Sequence, residues 1–136
     1  MALTAWLIDK SALARLGSSP EAKGWASRIQ RGPVSVSTVT RLEIGYSART
    51  GPDLAQIFST VPVASLLVEY FAPVIEERAL EIQALLANRG LHRAPSLADL
   101  LLAATAEARK LTVLHLDKNF ELIATVTGQP VEALRM

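Results

Sequence analysis

PSLADLLLAATAEARKLTVLHLDKNF, residues 95–120, is the stretch whose reading decides the fold. Between Leu97 and Ala106 only Asp99 and Thr105 interrupt an apolar run. Leu97, Leu100, Leu101, Ala104, Ala108 and Leu111 recur at the i, i+3, i+4, i+7 spacing of one helix face. Leu102 and Ala103 lie off that stripe and are apolar too, so the spacing predicts a helix covered on most sides. Residues 111–116 then read as a buried strand, and Asp117 stands where it ends. In open α/β sheets ligands collect outside the carboxyl ends of the strands. Asp99 in the first turn of a buried helix and Asp117 at a strand end are therefore expected to share one acidic, metal-holding site.

The same grammar recurs toward the N-terminus. Residues 5–8 are an apolar run, followed by Asp9-Lys10-Ser11 and a helical start at residues 12–16. Gly17-Ser18-Ser19-Pro20 breaks the chain, with Pro20 suited to the first turn of the next helix. That helix has the stripe Ala22, Trp25, Ala26 and Ile29, and Gly32-Pro33 ends it. Residues 34–36 are a second strand candidate, and Ser37 or Thr38 can start a helix that carries Glu43 and runs to about Arg49. Gly51-Pro52-Asp53 reads as a turn with Asp53 as an N-cap, before a short stripe of Leu54, Ile57, Phe58 and Val61. Residues 62–73 fit either a short strand or a helix end.

Ile75, Ala79, Ile82 and Leu86 predict an amphipathic helix closed by Asn88-Arg89-Gly90, with Glu76, Glu77, Arg78 and Glu81 on its solvated side. Residues 120–126 look helical, and residues 131–134 suit a last edge strand. Strands alternating with helices imply a parallel sheet covered on both faces. No repeat or linker divides the chain, so one domain over residues 1–136 is expected.

Composition narrows the functional classes. The chain has 136 residues, half of them hydrophobic, and no cysteine. Disulfide frameworks and thiolate metal sites are thereby excluded. A mean hydropathy of +0.27 suggests apolar surface buried against a partner or a second copy. A net charge of +1 gives no global attraction to nucleic acid, so any such contact must be a local patch. The N-terminus carries no basic n-region with a small-residue cleavage site, and no apolar run reaches the roughly 18 residues of a membrane span. A cytoplasmic protein is the expectation.

Asp9, Glu43, Asp99 and Asp117 stand out by position, and each has a structural alternative. Asp9 could cap a helix, Glu43 could complete a capping box with Thr40, Asp99 could do so with Ser96, and Asp117 could be an exposed loop acid. Parallel connectivity, however, brings all four toward one edge of the sheet. Carboxylates sharing a cleft repel one another and either take up protons or bind a cation. Oxygen-only ligation favours Mg²⁺ or Mn²⁺ over Zn²⁺ and suits phosphoryl chemistry. Trp6 and Trp25 read as core, and His115, inside a strand, as a core or edge histidine outside the ligand set.

Asp9-x-Ser11 after the first strand, Glu43 after SVSTVTRLE, Asp99 in ADLLLAATA and Asp117-x-x-Phe120 after LTVLHL form an ordered set that resembles the PIN domain. The length and the closing TGQPVEAL resemble VapC-type toxins of bacterial toxin–antitoxin pairs. The resemblance covers essentially the whole chain. It implies an α/β fold, a three-layer α/β/α arrangement with a short parallel sheet between helices, and a Mg²⁺- or Mn²⁺-dependent endoribonuclease of the bacterial cytoplasm. It implies a homodimer, and a heterotetramer or larger assembly with a cognate VapB-type antitoxin whose tail occupies the acidic groove. Asp9, Asp99 and Asp117 would hold metal, Glu43 would hold metal or orient the attacking water, and Ser11 would hydrogen-bond within the cluster or cap the helix from Ala12.

Lys10 stands where relatives often carry a small or hydroxyl residue, and Asn119 where many carry another acid, which lowers the negative charge available to a second ion. Arg41, Arg49, His92, Arg93 and Lys118 are the cations near the motifs in sequence and are candidates to hold RNA, with single-stranded or loop RNA the expected substrate. One competing class is a PIN-like module that binds RNA or a partner without cutting. Another is a phospho-acceptor receiver domain, which would place adjacent acids after the first strand and a lysine at a late strand end. Here Lys10 follows Asp9 and the late strand ends in Asp117. No GxGxxG, P-loop or GxSxG motif supports a dinucleotide, nucleotide-triphosphate or serine-hydrolase site.

Overall fold

A computed structural model describes residues 3–136; the expected single-domain span begins with Met1 and Ala2, which lie outside the described residues. Among the described residues five parallel strands form one sheet: β1 (Trp6–Ile8), β2 (Val34–Ser37), β3 (Leu67–Glu69), β4 (Thr112–His115) and β5 (Val131–Ala133), in the order β3-β2-β1-β4-β5. β1 sits at the centre, with Leu7 beside Ser35 of β2 and Val113 of β4. The chain builds outward from β1 in one direction through β2 and β3, then returns to build β4 and β5 on the other side. The gap between β1 and β4 is thus the point where strand order reverses, the place where open α/β sheets form a crevice.

Seven α-helices among the described residues cover the sheet: α1 (Lys10–Arg15), α2 (Ala22–Arg31), α3 (Thr38–Tyr46), α4 (Gly51–Ser59), α5 (Pro73–Ala87), α6 (Leu97–Arg109) and α7 (Asn119–Thr127). The strands' alternation divides the core in two. Leu7 and Val113 face one layer with Ile75, Ile82 and Leu86 of α5, Leu100, Leu102 and Ala103 of α6, and Phe120 and Ile123 of α7. Ile8 and Leu114 face the other with Ala12, Leu16, Trp25 and Ile29. This is the expected three-layer α/β/α arrangement. No helix among the described residues is long and apolar enough to cross a membrane.

The stripe on α5 is buried at all four expected positions, Ile75, Ala79, Ile82 and Leu86. The stripe on α6 is displaced. Leu100, Ala104 and Leu111 are buried, but Leu97 is 73% exposed and Ala108 is also exposed. The buried face runs instead through Asp99, Leu100, Leu102, Ala103, Ala104 and Ala106, because the sheet and α5 approach from that side. Ala26 is likewise exposed on α2.

α3 ends at Tyr46, short of Arg49, and Gly51-Pro52-Asp53 forms the first turn of α4 where a free turn was expected. Thr50, not Asp53, caps α4 by accepting from the Asp53 amide at 3.1 Å. Residues 62–73 resolve into a short 3₁₀ turn, β3 and the start of α5. Arg78 is not a solvated residue: its Nε and Nη2 both donate to Glu107 and tie α5 to α6. Trp25 is buried and meets the half-buried Trp6 edge to face at 5.0 Å, so this pair belongs to the packing.

Candidate active site

The cleft at the β1–β4 reversal has a volume of about 500 Å³ and is lined by Asp9, Glu43, Asp99 and Asp117, with Lys10, Ser11, Arg93, Ser96 and Asn119 among their neighbours. The four acids, separated by up to 108 positions in the chain, therefore share one wall-to-wall space. Asp9 directly follows β1 and its amide donates to the Leu114 carbonyl at 2.9 Å, which docks the end of β1 against β4. Asp117 lies just beyond β4. Glu43 comes from α3, which Ser37 caps by accepting from the Thr40 amide at 3.2 Å. The Thr40–Glu43 capping box does not form, and Glu43 makes no hydrogen bond among the described residues.

Three of the acids serve the local backbone as well as the cleft. Asp9 is the N-cap of α1: its Oδ2 accepts from the Ser11 amide at 3.1 Å and from Ser11 Oγ at 2.5 Å. Asp99 forms the capping box with Ser96, accepting from the Ser96 amide through Oδ2 at 3.1 Å. Asp117 accepts from the Asn119 amide through Oδ1 at 2.9 Å. In each case the other carboxylate oxygen has no hydrogen-bond partner among the described residues. Capping and cleft-lining are thus not alternatives here: each of these acids caps through one oxygen, keeps the other unbonded, and lines the cleft.

Ser11 does not cap a helix beginning at Ala12, since α1 begins at Lys10. It fastens the site: while donating to Asp9, its Oγ accepts from the Leu116 amide at 2.9 Å, joining the two strand ends. Asn119 donates through Nδ2 to the Ala94 carbonyl at 3.2 Å and holds the loop carrying Arg93 against the Asp117 turn. Among the candidate cations only Arg93 lines the cleft. Arg41 instead lies over the Phe58 ring, 5.9 Å from its centroid. Arg49, His92 and Lys118 are exposed outside the lining. Lys10, read from sequence only as a departure from a family pattern, does line it. Its place directly after a strand-ending acid, at the first helical position, was the available signal.

The electrostatics follow from the crowding. Burial pushes the Asp99 carboxyl above the ordinary aspartate range; its bonds with Ser96 oppose this, while repulsion from Asp117 and Asp9 adds to it. Burial also raises Glu43, helped by repulsion from Asp9 and then Asp99, with the Lys10 charge pulling the other way. Uncompensated negative charge and free carboxylate oxygens on an oxygen-only wall suit a hard divalent cation. Among the described residues no three His, Asp or Glu side chains form a ready-made metal cage, so the acids surround a space and do not yet close on a point.

Residues 6–126 match the family model described as the PIN domain. Ribonuclease VapC2 of Mycobacterium tuberculosis is 56% identical over 129 residues, covering 95% of this chain and 92% of its own. Among solved structures, DNA-bound VapBC from Salmonella typhimurium superposes with a TM-score of 0.76 at 18% identity, covering 97% of this chain and 99% of the matched one. VapBC-5 from Mycobacterium tuberculosis, of the VapBC family of toxin-antitoxin systems, does so with a TM-score of 0.66 at 25% identity, covering 98% and 100%. An acid-lined crevice at the strand-order reversal and a likeness in sequence and fold that extends over nearly the whole chain lead to one assignment: this chain belongs to the PIN domain family, in its VapC branch.

Proposed function

We propose that this chain is the toxin of a VapBC-type pair, an endoribonuclease of the bacterial cytoplasm that hydrolyses RNA with Mg²⁺ or Mn²⁺. The observation that carries the proposal is the meeting of Asp9, Glu43, Asp99 and Asp117 in one cleft, with Asp99 and Glu43 both driven toward protonation by burial and by other acids. Asp9, Asp99 and Asp117 would hold the ion through their unpartnered oxygens, with Glu43 closing from α3. When bound, a divalent ion supplies neutralisation of the phosphate, a more acidic water and stabilisation of the leaving oxygen.

The chain's own groups do the rest. Glu43, with its raised proton affinity, accepts a hydrogen bond from the attacking water and orients it. Lys10 and Arg93 hold the phosphodiester against the acidic wall. Ser11 keeps Asp9 in place, and Asn119 keeps the Arg93 loop in place. Attack of water at phosphorus forms one P–O bond as the bond to the 3′ oxygen breaks, leaving a 5′-phosphate and a 3′-hydroxyl. A single unstacked phosphate must enter the cleft, which selects single-stranded or loop RNA.

A cognate VapB-type antitoxin would silence the enzyme by placing a cation-bearing tail among the four acids. A homodimer is supported by apolar side chains left uncovered on α3 and α6, which pack against each other: Leu42 is 69%, Tyr46 90% and Leu97 73% exposed. Two such toxins with antitoxin would make a heterotetramer or larger assembly. The absence of a ready-made cage among the described residues favours a second reading, a PIN-like module that binds RNA or a partner without cutting. Purified antitoxin-free protein decides between them. Cleavage of single-stranded RNA with Mg²⁺ or Mn²⁺, abolished by EDTA, is the expected result. Binding of RNA with no cleavage under any divalent ion would establish the second reading.

A further inference from the structure

His115 is the last residue of β4 and is only 2% exposed. Its ring touches both sides of the turn that carries Asp117. Nδ1 lies 3.2 Å from the Asp117 amide nitrogen, and Nε2 lies 3.2 Å from Glu121 Oε1. A backbone amide can only donate, so Nδ1 must present its lone pair and Nε2 must carry the proton, which it donates to Glu121. The ring also packs against Phe120, with centroids 5.5 Å apart. One imidazole therefore clamps the end of β4 to the first turn of α7, and the three-residue turn between them carries Asp117 at its middle.

We infer that His115 is a positioning residue for the candidate metal site: by accepting from the Asp117 amide while held by Glu121, it fixes the turn from which the Asp117 carboxylate enters the cleft. The inference rests on the proposed metal-binding role of Asp117. The amide bond from below and the Asn119 amide on Oδ1 together leave the backbone and one carboxylate oxygen with little freedom, so the free oxygen is aimed. Partners that orient ligating groups in this way typically change metal affinity by about 10–100-fold when removed.

Two substitutions separate aiming from filling. His115→Asn keeps an acceptor on the atom attached to Cγ, where Nδ1 is, and loses the reach to Glu121. His115→Phe keeps the ring's bulk and loses the acceptor. Mn²⁺ affinity of the antitoxin-free protein, read by calorimetry with thermal melting alongside, is the measurement. The expected result is a roughly 10-fold or greater loss for Phe and a clearly smaller loss for Asn, even though Asn leaves the larger packing defect and melts lower. Equal losses in the two folded variants, or wild-type affinity in Phe, would show that His115 only fills the core. Failure of the wild type itself to bind Mn²⁺ overturns the metal site, and this inference with it; that result is distinguishable because it appears before any substitution is made. If a core variant does not fold, Glu121→Ala on the surface replaces it: weakened Mn²⁺ binding with an unchanged melt supports the clamp, and unchanged binding overturns it.

Discussion

Replacing Asp99 in two ways separates its service to the fold from its service to the cleft. Asp99→Asn removes the charge but keeps an oxygen that can accept from the Ser96 amide, so the capping box survives. Asp99→Ala removes both. The Ser96–Asp99 pair consists of reciprocal bonds of 3.0 and 3.1 Å, and the loss of one such bond at a helix start costs about 1 kcal/mol. For a chain of 136 residues that corresponds to a melting-temperature difference of about 3–5 °C between the two variants, with Ala the lower.

The charge acts in the opposite direction. Burial and the neighbouring Asp117 and Asp9 disfavour the Asp99 carboxylate at neutral pH. In chelator, therefore, Asp99→Asn should melt at or above wild type while Asp99→Ala melts below Asp99→Asn. Both variants should fail to cut RNA. The assay is differential scanning calorimetry in EDTA at neutral pH beside a Mg²⁺-dependent cleavage assay. An Asn variant destabilised as much as Ala, or cutting RNA at the wild-type rate, would refute the division of labour between the two carboxylate oxygens.

Removing the Ser11 hydroxyl leaves the Leu116 amide without its acceptor and Asp9 without its closest donor; Ser11→Ala should cost about 1–2 kcal/mol in chemical denaturation. Lys110, at the end of α6, holds φ at 59°, a left-handed conformation that glycine adopts without penalty. Lys110→Gly, remote from the cleft, should therefore gain about 1 kcal/mol in the same assay and leave cleavage unchanged. The pH dependence has a definite sign. Asp99 and Glu43 bind protons more tightly in the folded than in the unfolded chain, so their contribution to stability is complete in acid below their unfolded values of 3.8 and 4.5 and is lost as pH rises through the raised folded values. In EDTA, Asp99→Asn/Glu43→Gln should accordingly gain melting temperature relative to wild type as pH rises from acid to neutral; a difference independent of pH would contradict the assigned crowding.

Much of the site was legible because strand and acid are adjacent in sequence. An apolar run that ends in Asp9, and another that ends in Asp117, mark carboxyl edges of a sheet without reference to anything distant. Parallel connectivity pointed the four acids to one edge of the sheet, but their meeting in one cleft depends on β4 lying beside β1, and strand order is a long-range property that spacing does not carry. Asp99 was ambiguous because S-x-x-D encodes a cap, and the side chain both caps α6 through Oδ2 and lines the cleft. Gly51-Pro52 read as a turn because both residues break helices internally, yet both are tolerated in a first turn, where the amides lack partners anyway.

β3 stayed open between a short strand and a helix end because it is three residues long, at an edge, with Leu67 exposed and no clean alternation. The position of Leu97 on the α6 stripe was misjudged because periodicity gives the width of an apolar face but not where neighbouring elements stop covering it. Of the cations, proximity in sequence selected Arg41 and Lys118, whereas the fold turns Arg41 toward Phe58 and leaves Lys118 outside the lining. His115 could be placed in the core by its apolar neighbours, but its bond to the Asp117 amide is a matter of ångströms that spacing does not report.

Mn²⁺ titration of the antitoxin-free protein, followed by electron paramagnetic resonance, tests the central claim most directly when repeated on Asp9→Asn, Glu43→Gln, Asp99→Asn and Asp117→Asn. Saturable binding by the wild type that weakens in every one of the four folded variants is the predicted result. Binding that is absent from the wild type, or that survives undiminished in any of the variants, would contradict a single ion site shared by all four acids.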